Sequence, residues 1–166
     1  MKRISLTQDK MALVDDIDYE SLKCFRWCAA KGRCCYYAVR SIKTSDSKWL
    51  TTRMHRVILN APYGIEVDHR NGNGLDNRRC NLRLCTRTEN GRHQRLLSAN
   101  KTGFKGVSKT RQNLKKPFYV SIKVNLRSIN LGYYRTSGAA ARAYDIAAIK
   151  YHDRFALTNK MLGLLS

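Results

Sequence analysis

The chain has 166 residues and a formal net charge of +20, from 32 Lys and Arg against 12 Asp and Glu. A chain so charged repels itself unless a polyanion neutralises it and releases condensed counterions, so nucleic acid is the expected partner. No apolar run approaches the roughly 18 residues of a spanning helix and no signal-peptide pattern is present, so a cytosolic protein without a membrane partner is expected. Residues 1–100 hold 19 basic and 10 acidic side chains, and residues 101–166 hold 13 and 2. Both parts are therefore expected to touch the polyanion. Six cysteines occur, at 24, 28, 34, 35, 80 and 85. In a reducing compartment they should be thiols, and the Cys24-x3-Cys28 and Cys80-x4-Cys85 pairs lack the tighter spacing of a zinc site, so structural zinc is not expected.

In chain order, the first 20 residues carry five acids, Asp9, Asp15, Asp16, Asp18 and Glu20, and read as a structural lead-in that avoids phosphate. Cys35–Arg40 and Trp49–Thr52 are β-prone runs joined by a polar loop, the pattern of a hairpin. Thr52–Asn60 reads as a short helix with Met54, Val57 and Ile58 on its apolar side and His55 as a packing or phosphate-facing residue. Glu66–Arg70 is a strand leading into the Asn71-Gly72 and Asn73-Gly74 turns, and Asn81–Cys85 returns as its partner. Thr86 and Glu89 have the Thr-x-x-Glu spacing of a capping box for a helix from about Arg87 to Leu97. Leu82, Leu84 and Leu96 are candidates for the small core of this β-loop-β-α unit.

A polar stretch at 99–103 separates a second unit at 104–166 from the first at 1–98. Phe104–Thr110, Phe118–Asn125 and Ser128–Tyr134 read as three strands. In the middle one Phe118, Val120, Ile122 and Val124 alternate with Tyr119, Ser121 and Lys123. Gly138–His152 is a helix whose Ala140, Tyr144, Ala147, Ala148 and Tyr151 would cover the apolar face.

Asp68, His69, Asn81 and Asn90 stand 1, 12 and 9 residues apart, a spacing that this topology can gather around one cation. A carboxylate and an amide oxygen are hard donors suited to Mg²⁺ or Mn²⁺, and the adjacent imidazole remains available as a base. Phosphodiester hydrolysis needs that pair. The window Val67-Asp-His-x-Asn-Gly…Asp76-Asn-Arg-x-x-Asn81-Leu-Arg83 resembles the His-Asn-His (HNH) endonuclease family, particularly its phage and intron-associated homing-type members. The resemblance implies a ββα-metal nuclease fold in which Asp68 and Asn90 ligate one divalent cation, His69 is the general base and Asn81 braces the loop. It also implies products with a 3′-hydroxyl and a 5′-phosphate, made in a bacterial or phage-infected cell. The third signature position holds Asn90 in place of His, and His93 is a further ligand or phosphate contact. Arg70, Arg78, Arg79, Arg83 and Arg87 are candidate phosphate contacts.

Gly106-Val107, Leu131-Gly-Tyr-Tyr-Arg-Thr136 and Ala140-Ala-Arg-Ala-Tyr-Asp-Ile-Ala-Ala148 resemble the plant ethylene-response-factor (APETALA-type) DNA-binding domain. That likeness implies a three-stranded antiparallel sheet on duplex DNA with a helix packed behind it, and carries Lys105, Tyr119, Lys123 and Arg127 over as DNA contacts. Ser108, Thr110, Ser121, Ser128 and Asn130 depart from the plant contact residues, so base preference does not transfer. The sequence thus predicts an α+β, metal-dependent DNA endonuclease acting as a monomer or weak dimer on double-stranded DNA. Its rivals are a catalytically silent DNA-binding scaffold and a zinc-stabilised RNA-binding protein.

Overall fold

The computed structural model describes residues 1–32, 35–92, 100–111 and 115–165. It is an α+β protein of small antiparallel sheets, divided into two compact units, Met1–Arg87 and Thr88–Ser166.

In the first unit, β1 (Lys2–Ser5) and β2 (Met11–Val14) form a hairpin, followed by α1 (Asp16–Lys23). A three-stranded sheet comes next, β3 (Cys28–Lys31), β4 (Tyr36–Lys43) and β5 (Trp49–Arg53), with β4 central. Then α2 (Met54–Ile58) leads to the paired strands β6 (Glu66–His69) and β7 (Leu82–Cys85). One apolar core joins these pieces, through Ile4, Ala12 and Val14 of the hairpin, Leu22 of α1, Trp27, Ala38, Met54 and Ile58 of α2, Val67 and Leu82. The acidic lead-in is therefore a folded, core-bearing element, because each strand of its hairpin turns alternate apolar residues inward.

Several boundaries differ from the sequence reading. Strand β3 has no counterpart in the sequence pattern, since Cys-Ala-Ala-Lys is too short and too small for a periodic signal. Helix α2 is one turn long and buries Met54, His55 and Ile58, whereas Val57 is exposed. Positions 54, 55 and 58 form the i, i+1, i+4 stripe of that turn, and 57 falls outside it. Leu84 is 43% exposed although it shares a face of β7 with buried Leu82, so position on the alternating strand does not by itself bury it; Leu96 lies outside the described residues. Of the helix expected over 87–97, α3 (Arg87–Arg92) is described, and the remainder lies outside the described residues.

The second unit is a sheet in the order β10 (Arg127–Tyr134), β9 (Phe118–Val124), β8 (Val107–Lys109), covered by α4 (Ser137–His152). Val107, Val120 and Ile122 pack on Ala140, Ala141, Tyr144, Ala147 and Ala148, with Phe118 and Val124 at the margin. The alanines allow the helix to lie close on the sheet. Thr136 starts α4 by accepting the Ala139 amide at 3.2 Å. Strand β8 begins later than Phe104 because Gly106 takes φ +75°, and a Cβ there would lie 1.9 Å from the Tyr144 ring. The β9–β10 turn places Asn125 and Leu126 at φ 49° and 66°, the two positive values of a tight I′-type hairpin. The chain end is fixed by Asp145, whose carboxylate accepts the Asn159 amide at 2.7 Å and the Lys160 amide at 3.0 Å.

Met54 is fully buried and Val57 is 39% exposed. Met54→Ala should cost about 2–5 kcal/mol in urea unfolding, while Val57→Ala should change stability by no more than about 0.5 kcal/mol. Equal losses would contradict the assigned face of α2.

Candidate active site

The chemistry-bearing residues of the first unit are organised by the segment 70–81 between β6 and β7. Asn-Gly repeats set its local path. The Asn71 Oδ1 accepts the Asn73 amide at 2.9 Å, the Asn73 Oδ1 accepts the Leu75 amide at 3.1 Å, and Gly72 has φ 70°. Gly74 is required for another reason: a Cβ there would lie 2.5 Å from the Tyr36 carbonyl oxygen and 2.7 Å from the Tyr37 ring, so β4 packs directly on the loop.

Buried polar side chains fill the loop interior. Asn81 accepts the Asn71 amide at 3.0 Å and donates to the Asp76 carbonyl at 2.7 Å, while its own carbonyl accepts the Arg70 amide at 2.9 Å. The Asp76 carboxylate, 2% exposed as a residue, accepts two bonds from Arg78 at 2.7 and 2.6 Å and one from the Asn71 Nδ2 at 2.8 Å. Arg78 beside it holds the Asp76 carboxyl below the usual carboxylate range. Outside the loop, β2 runs along its backbone: the Leu13 amide donates to the Leu75 carbonyl and its carbonyl accepts the Asn77 amide, both at 2.8 Å. Asp15 accepts the Arg79 amide at 2.7 Å, and Asp18 takes the Arg79 guanidinium through two bonds at 2.8 and 2.7 Å. Acids of the lead-in thus anchor the loop that follows β6.

This frame fixes His69, which is 5% exposed at the end of β6. Its Nε2 lies 3.3 Å from the Asn77 Oδ1. Asn77 is fully buried and its Nδ2 donates to the Leu75 carbonyl, so its amide oxygen is the end turned to the imidazole. An amide oxygen can only accept, so His69 carries its proton on Nε2 and presents the Nδ1 lone pair. The His55 ring meets the His69 ring edge-on at 4.9 Å, and Tyr37 stands 5.9 Å from His69 and 5.7 Å from His55. Burial lowers the His69 pKa, partly offset by the Asn77 hydrogen bond and the charges of Asp68 and Asp76. Burial lowers His55 further, to about 3, with His69, Arg53 and Arg56 adding to the effect.

Asp68 precedes His69 and, by the alternation of a strand, points to the other face of β6. There it opposes Arg83 in the register of β6 and β7. The Asp68 Oδ2 accepts from the Arg83 Nε at 2.8 Å and its terminal nitrogen at 2.6 Å, with the two side chains 7% and 9% exposed. A buried pair of this kind is costly to break from one side only. Asn90 lies on α3, half-buried like Glu89 and Arg92, and belongs to the second unit. Among the described residues no group of three or more His, Cys, Asp or Glu side chains converges as a metal site. Asp68 is a single hard oxygen donor. That chemistry fits Mg²⁺ or Mn²⁺, which take one or two protein oxygens and keep several waters or substrate phosphate oxygens.

The remaining candidates fall into distinct surroundings. Arg70 and Arg87 are exposed, and His93 lies outside the described residues. Arg78, Arg79 and Arg83 are engaged by Asp76, Asp18 and Asp68, because in a chain short of acids these three carboxylates sit within the fold and each recruits a cation. In the second unit Tyr119 stacks against Tyr133 at 5.2 Å, on the same polar face as exposed Lys123. Arg127 is exposed but pairs with Val124, which sets it at the turn end of the opposite face. The Lys105 ammonium donates to the Arg92 carbonyl at 2.8 Å, and burial lowers its pKa to about 8. Nothing in the sequence marks Tyr37, and Asn77 is marked only as the unassigned middle residue of Asp76-Asn-Arg78; His55, read as a packing or phosphate-facing residue, is buried against His69.

Residues 53–92 match the family model of the HNH endonucleases. The matched stretch runs from the residue before α2 to the end of α3 and contains Asp68, His69, Asn81 and Asn90. It points to a nuclease-type, metal-dependent function directed at DNA. No curated protein and no solved structure matches the chain. Among the described residues no helix is long and apolar enough to cross a membrane.

His55 is held neutral, with a folded pKa of about 3 against an ordinary value of 6.5. Between those values the unfolded chain binds a proton that the folded one refuses, so stability falls as the pH drops through that window. His55→Phe keeps a ring at this position but cannot titrate, and its stability should fall less steeply between neutral pH and about pH 4.5 in urea unfolding. An unchanged slope would show that His55 is not protected from protonation.

Proposed function

We propose that the first unit hydrolyses DNA phosphodiester bonds, in the manner of homing-type HNH nucleases, with His69 as general base. The observation that carries this reading is the Asn77 contact: it leaves a neutral imidazole with its Nδ1 lone pair unprotonated inside the segment that matches the nuclease family. A depressed pKa keeps that lone pair available at neutral pH.

Asp68 would supply a hard oxygen to one divalent cation, Mg²⁺ or Mn²⁺, and the family resemblance implies Asn90 as its second ligand. When bound, such an ion polarises the scissile phosphate and stabilises the leaving 3′-oxyanion. The protein's own groups do the rest. His69 takes the proton from the attacking water at Nδ1, and Asn77 and the edge of His55 keep the ring from turning. Arg83 neutralises the Asp68 carboxylate and orients it. Asn81 closes the loop so that Asn77 stays under the imidazole. Exposed Arg70 and Arg87 are positioned on the outside of the unit for phosphate contact, and the polar face with Tyr119 and Lys123 tethers the chain to duplex DNA as an APETALA-type sheet. One such centre per chain fits a monomer that nicks one strand.

The test is cleavage of supercoiled plasmid in EDTA, Mg²⁺ and Mn²⁺. Wild type should produce relaxed circles only with a metal, and His69→Ala should lower the rate by about 10²–10⁴-fold at unchanged DNA affinity. Asp68→Asn, which keeps a hydrogen-bonding partner for Arg83, should lose activity together with its Mg²⁺ dependence. Tight, salt-sensitive binding without cleavage in any metal would favour a silent DNA-binding scaffold.

A further inference from the structure

Strand alternation on β4 divides the side chains of the β3–β4–β5 sheet into two sets. Ala38 and Arg40 point to the core side, where the Arg40 guanidinium stacks 3.5 Å from the Phe25 ring centre. Tyr37, Val39, Ser41 and Lys43 point to the other side, opposite Arg53, Thr51 and Trp49 in the register Val39↔Arg53, Ser41↔Thr51 and Lys43↔Trp49. One end of this outer face is Tyr37, against the His69 and His55 rings, with Arg53 over Tyr37 at 5.4 Å. The other end is the hairpin tip, about 20 Å away for six residues of extended strand.

The tip itself is polar, and the first residues of β5 beside it are apolar. Thr44 and Lys48 close it through a 2.8 Å backbone bond, Ser47 takes φ 61°, and the Thr44 hydroxyl donates to Asp46. Trp49 is 71% exposed and Leu50 59% exposed beside it. Between Tyr36 and Arg53 the chain has four basic residues, Arg40, Lys43, Lys48 and Arg53, and one acid, Asp46, which is paired with Lys48 at 3.0 Å. An exposed tryptophan on a cationic, acid-poor hairpin does not suit an apolar protein partner. It suits a polyanion with aromatic faces to offer.

We propose that this outer face carries the duplex away from His69 and that Trp49, at its end, wedges between bases about six base pairs from the cleavage point. The proposal deepens the nuclease reading and rests on it. Arg53, Thr51, Ser41 and Lys43 line the track between the two points, all exposed. Partial unstacking at the tip would hold the substrate in one register over His69.

The chain has two tryptophans, and Trp27 is 2% exposed in the core, so a DNA-induced change in emission reports on Trp49. A short mixed-sequence duplex titrated into wild type in EDTA should quench the emission, and Trp49→Phe, which leaves Trp27 as the sole tryptophan, should show little quenching. Trp49→Ala should weaken binding by between about 5-fold and 150-fold, the range for losing one base–aromatic stack. Unquenched emission with wild-type affinity in Trp49→Ala would overturn the wedge, and intact plasmid cleavage alongside it would leave the nuclease reading standing. An emission shift that follows protein concentration without DNA would overturn the wedge in favour of self-association. Absence of both binding and cleavage would remove both readings together.

Discussion

Segment 70–81 has to bury Asp76, Asn77 and Asn81 without leaving their polar atoms unpaired, and the rest of the site depends on how that is done. A buried amide without partners costs a few kcal/mol, so the loop is viable only in conformations that satisfy all three side chains at once. Asn81 clamps the loop ends, Arg78 and Asn71 take the Asp76 carboxylate, and Asn77 is turned by the Leu75 carbonyl so that its oxygen meets His69. The tautomer of the imidazole is a by-product of that closure.

Charge is distributed by the same logic. Only 12 acids stand against 32 bases, and Asp15 and Asp18 are spent on Arg79, Asp76 on Arg78 and Asp68 on Arg83, on the loop and its strands. Arginines that looked available for phosphate in the sequence are therefore structural where an acid lies inside the fold. The cations that remain on the surface, such as Arg53, Lys43, Arg70 and Lys123, are the ones a polyanion can meet.

What was legible in the sequence was local. The Asn-Gly turns, the two strands that flank them and the start of a helix at Arg87 were readable because turn chemistry and period-two alternation act over a few residues. The alternation of Phe118 to Val124 and the alanine stripe of α4 were readable for the same reason. What could not be read was non-local. Arg79 meets Asp18 across 61 residues, and His55 reaches His69 from a helix that looked like plain core. Val57 is exposed against the apolar pattern because a one-turn helix is too short for periodicity to choose its face.

His69 holds the account together, since its role requires a neutral ring protonated at Nε2. The most direct measurement is the ¹⁵N imidazole spectrum of His69 in the intact protein at neutral pH, assigned with His69→Ala and repeated in Asn77→Ala. The account predicts the Nε2–H tautomer in wild type and a mixture of tautomers once the Asn77 oxygen is gone. An Nδ1–H ring or an imidazolium in wild type would contradict it, because the lone pair assigned to the attacking water would then already carry a proton.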